Sequence, residues 1–474
     1  MMELQKAVEK AAEIIKKHDY ARVVSHYDAD GITSAGIICN ALLRRGIQFH
    51  TTIVSKLEKS FIQGLNEELI IFCDMGTAQM DLIAEYLKEK DVIIIDHHAA
   101  PLSSLSTSST ELVSSPPPSF AHINPYLSKS EHKGEREIDA EVCAAGISYL
   151  VARCLSDGGK DNIDLAGLAV AGALGDKLEV DRGVNKMILD EAIKEGVISV
   201  KKGLKLGDGK IRDLILFSTD PYIPLVGKVE WVDAFLDKLS IEGDRNISDL
   251  EEEEERLLTT ALLSLSDKSK AGAGISEDAL VGTTYILNSE VVRNGLNFMR
   301  LVDACGRFGK AGIGMGLCLR EEGMIKEATS LYIKFQSKLV SELNRIESAE
   351  GNEIKELPNI FYFYVQERGI TGVLAGILAE YLYTKKPVIV LNKKAGAGAE
   401  TKISARCNKK LLSVSEGEGD GIDLAKAMEK ASKEVEGFGG GHPVASGASI
   451  PVGSEEEFIT TLDRIIGEQK GNLF

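Results

Sequence analysis

Between residues 21 and 98, short apolar runs alternate with stretches of helical spacing. No other feature of the 474 residues constrains the fold as much. The runs ARVVSH (21–26), QFHTTIV (48–54), ELIIFCDMG (68–76) and DVIIIDHH (91–98) read as strands and are rich in β-branched residues. Between them TSAGIICNALLRRG (33–46) and MDLIAEYLKEK (80–90) have helical spacing. Apolar strands alternating with helices imply a parallel sheet covered on both faces, hence an α/β fold. Polar residues stand where the strands end. His26, Asp28 and Asp30 follow the first, Asp74 the third, and Asp96, His97 and His98 the fourth. Open α/β sheets take ligands beyond the carboxyl ends of their strands, so four carboxylates and three histidines are expected on one rim.

Residues 1–17 carry charges every few positions and read as an amphipathic helix rather than a signal peptide. A Ser-, Thr- and Pro-rich surface loop is expected at 102–119, and Asn124-Pro125 is a turn signal. Two helices rich in small residues follow, at 141–155 and 162–176, and the second delivers Asp176. Residues 200–290 change character, with Trp231, Gly-Asp turns and five consecutive glutamates at 251–255. They read as a mainly helical, solvent-facing insertion. A connector is expected at 291–357. A second α/β module begins at 358, with strands at 359–365, 387–393 and 401–407, helices at 371–386 and 423–438, and a glycine-rich ending at 439–451. The longest apolar run, 165–174, is far short of the ~18 residues a membrane span needs. Seven scattered cysteines form no C-x-x-C pair, which suits a reduced, cytoplasmic protein.

His26, Asp28 and Asp30 alternate, and alternate side chains of an extended segment share one side. Alone, this motif reads equally well as an Asp-rich loop in which Asp30 caps the following helix. The D-H-H triplet is sharper, because two adjacent histidines after an apolar run have little packing value. Imidazole mixed with carboxylate, without thiolate, suits Mn2+, or less comfortably Mg2+. The number of ligand-type groups suits two ions bridged by one carboxylate, about 3.5–4 Å apart. Such a site suits in-line attack of water on phosphorus, and no P-loop or G-x-G-x-x-G follows the first strand to compete with that reading.

In order, HYDADG (26–31), FCDMG (72–76), DHH (96–98) and GALGD (172–176) resemble the motifs of the DHH phosphoesterase superfamily. INP (123–125) and CAAG (143–146) are similar to its RecJ branch. FMRLVDACGRFG (298–309) resembles that branch's phosphate-contacting element, while SARC (404–407) and GGGH (439–442) resemble the DHH-associated C-terminal domain. Taken together, the motifs resemble those of archaeal RecJ-like, GINS-associated nucleases. The resemblance implies a catalytic domain at 1–199, an insertion at 200–290 and a substrate-binding domain at 358–474. It implies that His26, Asp28 and Asp74 hold one divalent cation, and that Asp30, Asp74, His97 and Asp176 hold the other. His98 would face the scissile phosphate and Asp96 would orient a histidine. Arg307, Arg406, Gly439, Gly440, Gly441 and His442 would bind substrate. Bacterial RecJ tends to carry aspartate where His26 stands, and Asp303 replaces an asparagine of the family.

The activity so implied is a Mn2+-dependent 5′→3′ exonuclease on single-stranded DNA, with single-stranded RNA as a further substrate. It would act in replication and repair with GINS docked on the insertion. The alternatives are an oligoribonucleotide or cyclic-dinucleotide phosphodiesterase and, in another class, a replisome scaffold with vestigial activity. Fifty-five basic against 72 acidic residues leave a net charge of −17, which argues against a nucleic-acid partner. Residues 359–412 nevertheless hold nine basic and three acidic residues, so a local basic groove is expected on an acidic body.

Overall fold

The computed structural model describes residues 2–98, 119–125, 142–156, 161–266, 276–348, 353–393, 400–412 and 421–471. The expected loop therefore lies outside the described residues up to 118. The chain forms two compact units, Met1–Lys202 with Thr283–Tyr332, and Gly203–Gly282 with Ile333–Phe474.

The first unit is built on a parallel sheet of β1 (Tyr20–His26), β2 (Gln48–Val54), β3 (Leu69–Cys73), β4 (Asp91–Ile95) and β5 (Phe120–Ile123), in the order β2-β1-β3-β4-β5. Alternate side chains serve opposite faces. Val23, Ile71, Ile93 and Ile95 enter a core with the helices Ala29–Arg44, Ala144–Leu155 and Ala166–Gly175. Val24, Ile70, Phe72 and Ile94 enter a second core with Ile62, Ile83 and Leu87. The α/β expectation therefore holds. β5 escaped the sequence reading because four residues beside an Asn-Pro turn carry little periodicity.

The register decides where function can sit. Ser25 pairs with Cys73, Cys73 with Ile95, and Ile95 with Ile123, so the carboxyl ends of four strands lie in one row. The next residues along that row are His26, the last of β1 and paired with Val54, and Asp74, Asp96 and Asn124, each just past its strand.

A ribbon of β6 (Ile198–Leu204) and β7 (Val281–Leu287) marks where the chain passes to the second unit and returns. The stretch between them is helical, at Ile211–Leu216, Val229–Leu239, Glu252–Ser266 and Glu277–Leu280. It has its own apolar core, including Ile211, Val232, Leu236, Leu258 and Leu262. Hydrogen bonds tie it to the rest of the second unit, from Thr219 Oγ1 to Gln336 Oε1 (3.1 Å) and from the Tyr381 hydroxyl to Asp220 Oδ1 (2.7 Å).

The second unit also holds a six-stranded mixed sheet of β8 (Lys355–Glu356), β9 (Phe361–Tyr364), β10 (Val388–Asn392), β11 (Glu400–Arg406), β12 (Phe438–His442) and β13 (Ala445–Pro451). Its order is β12-β13-β11-β10-β9-β8. One face buries Ile403, Ala405 and Ile450 with the helices Leu424–Glu434 and Glu455–Gly471. The glycine-rich run is itself the edge strand β12. No helix among the described residues is long and apolar enough to cross a membrane.

Candidate metal centre

The turn after β1 brings three ligand-type side chains together. Asp28, not Asp30, caps the helix Ala29–Arg44, with Oδ1 accepting from Gly31 N at 3.0 Å and Oδ2 left for the site. Asp30 sits in the first turn of that helix, fully buried, and accepts from Ala144 N (2.8 Å) and Ala145 N (2.9 Å) at the start of the helix Ala144–Leu155. Gly31 is required by close approach, since a Cβ there would lie 2.4 Å from the His26 carbonyl oxygen. Ser25 Oγ donates to Gly31 O (2.6 Å) and is 3.1 Å from Cys73 O, tying the turn to β3.

Asp74, just past β3, has φ 57°, a left-handed conformation costly for a residue with a Cβ. A 2.7 Å hydrogen bond from its N–H to Ile95 O holds it there. Its two oxygens then face different groups. Oδ2 is 3.3 Å from His26 Nδ1, which is 2.9 Å from Asp28 Oδ2. Oδ1 is 3.3 Å from His97 Nε2, which is 3.0 Å from Asp176 Oδ2 and 3.7 Å from Asp30 Oδ2. Asp176 is the C-cap of Ala166–Gly175. Three groups thus hold ligand atoms within 4.8 Å of one another: His26, Asp28 and Asp74; Asp30, His97 and Asp176; Asp74, His97 and His98. All six residues expected to bind cations converge, with Asp74 common to two groups.

Such a concentration of buried carboxylates demands positive charge. Burial raises the Asp30 carboxyl well above its usual range, and the charges of Asp176 and Asp74 raise it further. Burial also raises Asp74, with Asp28 adding to it. The imidazoles respond in the opposite sense. Burial would lower His26, but the Asp28 and Asp74 carboxylates lift it to about 11. Asp176, Asp74 and Asp30 likewise overcome burial at His97 and raise it well above its usual value.

His26 Nδ1 and Asp74 Oδ1 are nonetheless buried atoms with no hydrogen bond, since their close approaches lack hydrogen-bond alignment. Donors crowded around common points without pairing fit a shared cation, which supplies charge and leaves imidazole lone pairs free to coordinate.

His98 stands at the rim, its side chain 45% exposed, with Nδ1 2.8 Å from Asp96 Oδ1. Burial would raise Asp96, but His98 and the N–H of Thr77 hold it well below the usual carboxylate range. Asp96 therefore orients His98 as a carboxylate. Three residues behind it were not assigned to the site from sequence. Asn124 donates to His98 O (2.9 Å) and to Thr77 Oγ1 (3.0 Å), and His122 Nε2 lies 2.9 Å from that same hydroxyl. Burial lowers His122 to about 4, so its ring is neutral. In the sequence this group is marked by INP (123–125), a turn signal similar to a RecJ-branch motif, which assigns Asn124 no role.

Arg307 ends the helix Gly295–Arg307 in the first unit, its Nε 2.5 Å from Asp303 Oδ2. Burial opposes its charge, but Asp303, Tyr27 and Asp28 reinforce it, so Asp303 orients the arginine. Arg406, Gly439, Gly440, Gly441 and His442 lie in the second unit, at the end of β11 and along β12. Arg406 Nη1 donates to Ala405 O (2.9 Å) and Ser446 O (3.3 Å).

A carboxylate–imidazole cluster at the carboxyl rim of a parallel sheet, in a chain that also carries a mixed-sheet module, suits metal-assisted hydrolysis of phosphate esters. The DHH family N-terminal domain matches residues 21–172 and the DHHA1 domain matches residues 358–468. The uncharacterized protein MJ0831 of Methanocaldococcus jannaschii is 32% identical over 99% of both chains. Among solved structures, RecJ of Thermus thermophilus in complex with Mn2+ shares the fold (TM-score 0.56, 17% identity), covering 98% of this chain and 55% of that one. CDC45 of Entamoeba histolytica shares it too (TM-score 0.61, 10% identity, 98% of both chains). The chain belongs to the DHH superfamily of phosphoesterases and has a RecJ-like fold.

Proposed function

We propose that the protein is a divalent-cation-dependent exonuclease that degrades single-stranded DNA from its 5′ end, with single-stranded RNA as a second substrate. The observation that carries this reading is the complete donor set around Asp74, because a chain kept only for scaffolding has no need of six converging ligand-type side chains.

His26, Asp28 and Asp74 would hold one cation, and Asp30, Asp74, His97 and Asp176 the other, with Mn2+ preferred and Mg2+ accepted. Bound there, the cations would acidify water and neutralise charge on the scissile phosphate. The chain's own groups do the rest. Asp96 fixes the His98 ring through Nδ1 and, outweighing burial, raises its basicity, so that the protonated ring donates from Nε2 to a phosphate oxygen. Arg307, oriented by Asp303, grips an adjacent phosphate with its forked donors. Arg406, His442 and the bare backbone of Gly439, Gly440 and Gly441 bind the strand in the second unit. The helical insertion docks GINS, which places the nuclease in replication and repair.

The likeness to CDC45 favours a second reading, a replisome scaffold with vestigial activity. One time course separates the two: 5′- and 3′-labelled single-stranded DNA and RNA, with Mn2+. Release of labelled mononucleotide from the 5′-labelled strand at the earliest times is expected. Intact substrate throughout would leave the scaffold reading, and early loss of the 3′ label would reverse the polarity.

A further inference from the structure

Phe438 opens β12 and is 83% exposed, more than any other large apolar side chain described. Its setting makes it more than a stray surface residue. β12 is the end strand of its sheet, and directly paired residues of an antiparallel sheet share a face. Phe438 pairs with Ser449, which pairs with Lys402; His442 pairs with Ala445, which pairs with Arg406. Phe438, Lys402, Arg406 and His442 therefore share the face opposite the buried Ile403 and Ile450. Phe438 and His442 lie four residues apart, about 13 Å along the strand.

Between these rows, Gly440 pairs with Gly447, so β12 and β13 show only backbone on that face, with Ser404 next to them on β11. Packing explains the flanking glycines, since a Cβ at Gly439 would lie 2.8 Å from Met428 O and one at Gly441 2.7 Å from Ala445 O. It does not explain Gly440, where a Cβ would meet nothing within 4 Å. A residue bare without a packing reason, between an exposed aromatic ring and two basic side chains, leaves room for something flat and anionic. Glu400, on the same face one step beyond Phe438 and ion-paired with Lys402 at 3.4 Å, limits how far an anionic strand extends that way.

We propose that Phe438 is a stacking platform for a nucleobase of the bound single strand, whose backbone crosses the bare glycines toward Arg406 and His442. This rests on the nucleic-acid reading of the second unit and adds the element that distinguishes a base-bearing strand from a bare phosphate chain. Every base has a π-face, so the platform accepts any sequence.

The test is binding of the full-length protein, in metal-free buffer with EDTA so that nothing is cut, to two oligonucleotides of equal length. One is oligo-dT carrying 2-aminopurine and the other is abasic. Wild type should quench 2-aminopurine and bind the base-bearing strand more tightly. Phe438→Ala should lose the quench and weaken that binding about 5- to 150-fold, leaving abasic binding unchanged, while Phe438→Tyr should retain both. Equal weakening on both strands, or wild-type affinity and quenching in Phe438→Ala, would overturn the platform and leave the nuclease reading standing. Failure of wild type to bind either strand would overturn both.

Discussion

At Asp74 the backbone accepts φ 57° so that one carboxylate can show Oδ2 to His26 and Oδ1 to His97. Strain held at a residue shared by two donor groups is expected where geometry serves chemistry rather than packing. Removing donors on the His97 side should therefore abolish function without unfolding the chain. We expect Asp30→Ala and His97→Ala each to lower single-strand hydrolysis at least about a hundredfold with unchanged circular dichroism. Undiminished activity in both would remove them from the site. Asn124→Ala, which frees the His98 carbonyl and the Thr77 hydroxyl, should cost about 10- to 100-fold in the same assay.

Glu290 is buried beside Arg320 (3.1 Å), and burial lifts it to about 7 despite that arginine. An acid raised on folding holds its proton more tightly in the folded chain. Its contribution is then most favourable below the unfolded value near 4.5 and declines by roughly 3 kcal/mol as pH rises to 7. The melting temperature of Glu290→Gln relative to wild type should therefore rise between pH 5 and pH 7. A difference that stays constant with pH would contradict the assignment. The site's donors were legible in the sequence because histidine and aspartate directly after apolar strands have no packing role. Thr77, His122 and Asn124 were not, because a buried polar residue satisfied by its neighbours looks like any other residue of a turn.

Register, not proximity in sequence, assembles the rim, since Ser25, Cys73, Ile95 and Ile123 pair across four strands. Sequence periodicity shows three of those strands and that they run parallel, but neither their order nor β5. The edge strand β12 escaped it for another reason: glycine carries no side-chain alternation to read. The helix Gly295–Arg307 fits against the site loop only because residue 306 is glycine, as a Cβ there would lie 1.6 Å from Tyr27 O. Gly306→Val should displace that helix, lower the melting temperature by several degrees and reduce hydrolysis as Arg307 shifts. A variant with wild-type stability and rate would show that the contact is dispensable.

The insertion calls for gentler treatment. Deleting residues 205–285 would strip Gln336 and Tyr381 of their partners Thr219 and Asp220. Its exposed Val229 and Trp231 are better targets. If this region docks GINS, Trp231→Ala with Val229→Ser should abolish co-elution and leave hydrolysis unchanged. Retained co-elution would move the contact elsewhere.

Over the whole molecule, a net charge of −17 is the wrong scale for judging a nucleic-acid partner, and the net +6 of residues 359–412 overstates the local attraction. Lys386 is paired with Glu356 (2.6 Å), Lys393 with Glu455 (3.7 Å) and Lys402 with Glu400 (3.4 Å). Nine phosphate contacts would give a slope of log affinity against log salt near −6, whereas about six, the number left by those three pairs, give near −4. The shallower slope is expected for single-stranded DNA.

All of this depends on the first unit binding two cations at one shared carboxylate. The direct measurement is the number of Mn2+ ions bound per chain, counted by electron paramagnetic resonance in wild type and in Asp74→Ala. Two ions with a coupled signal in wild type, and loss of that coupling in the variant, are predicted. A single uncoupled ion in wild type, or two coupled ions surviving in Asp74→Ala, would contradict it.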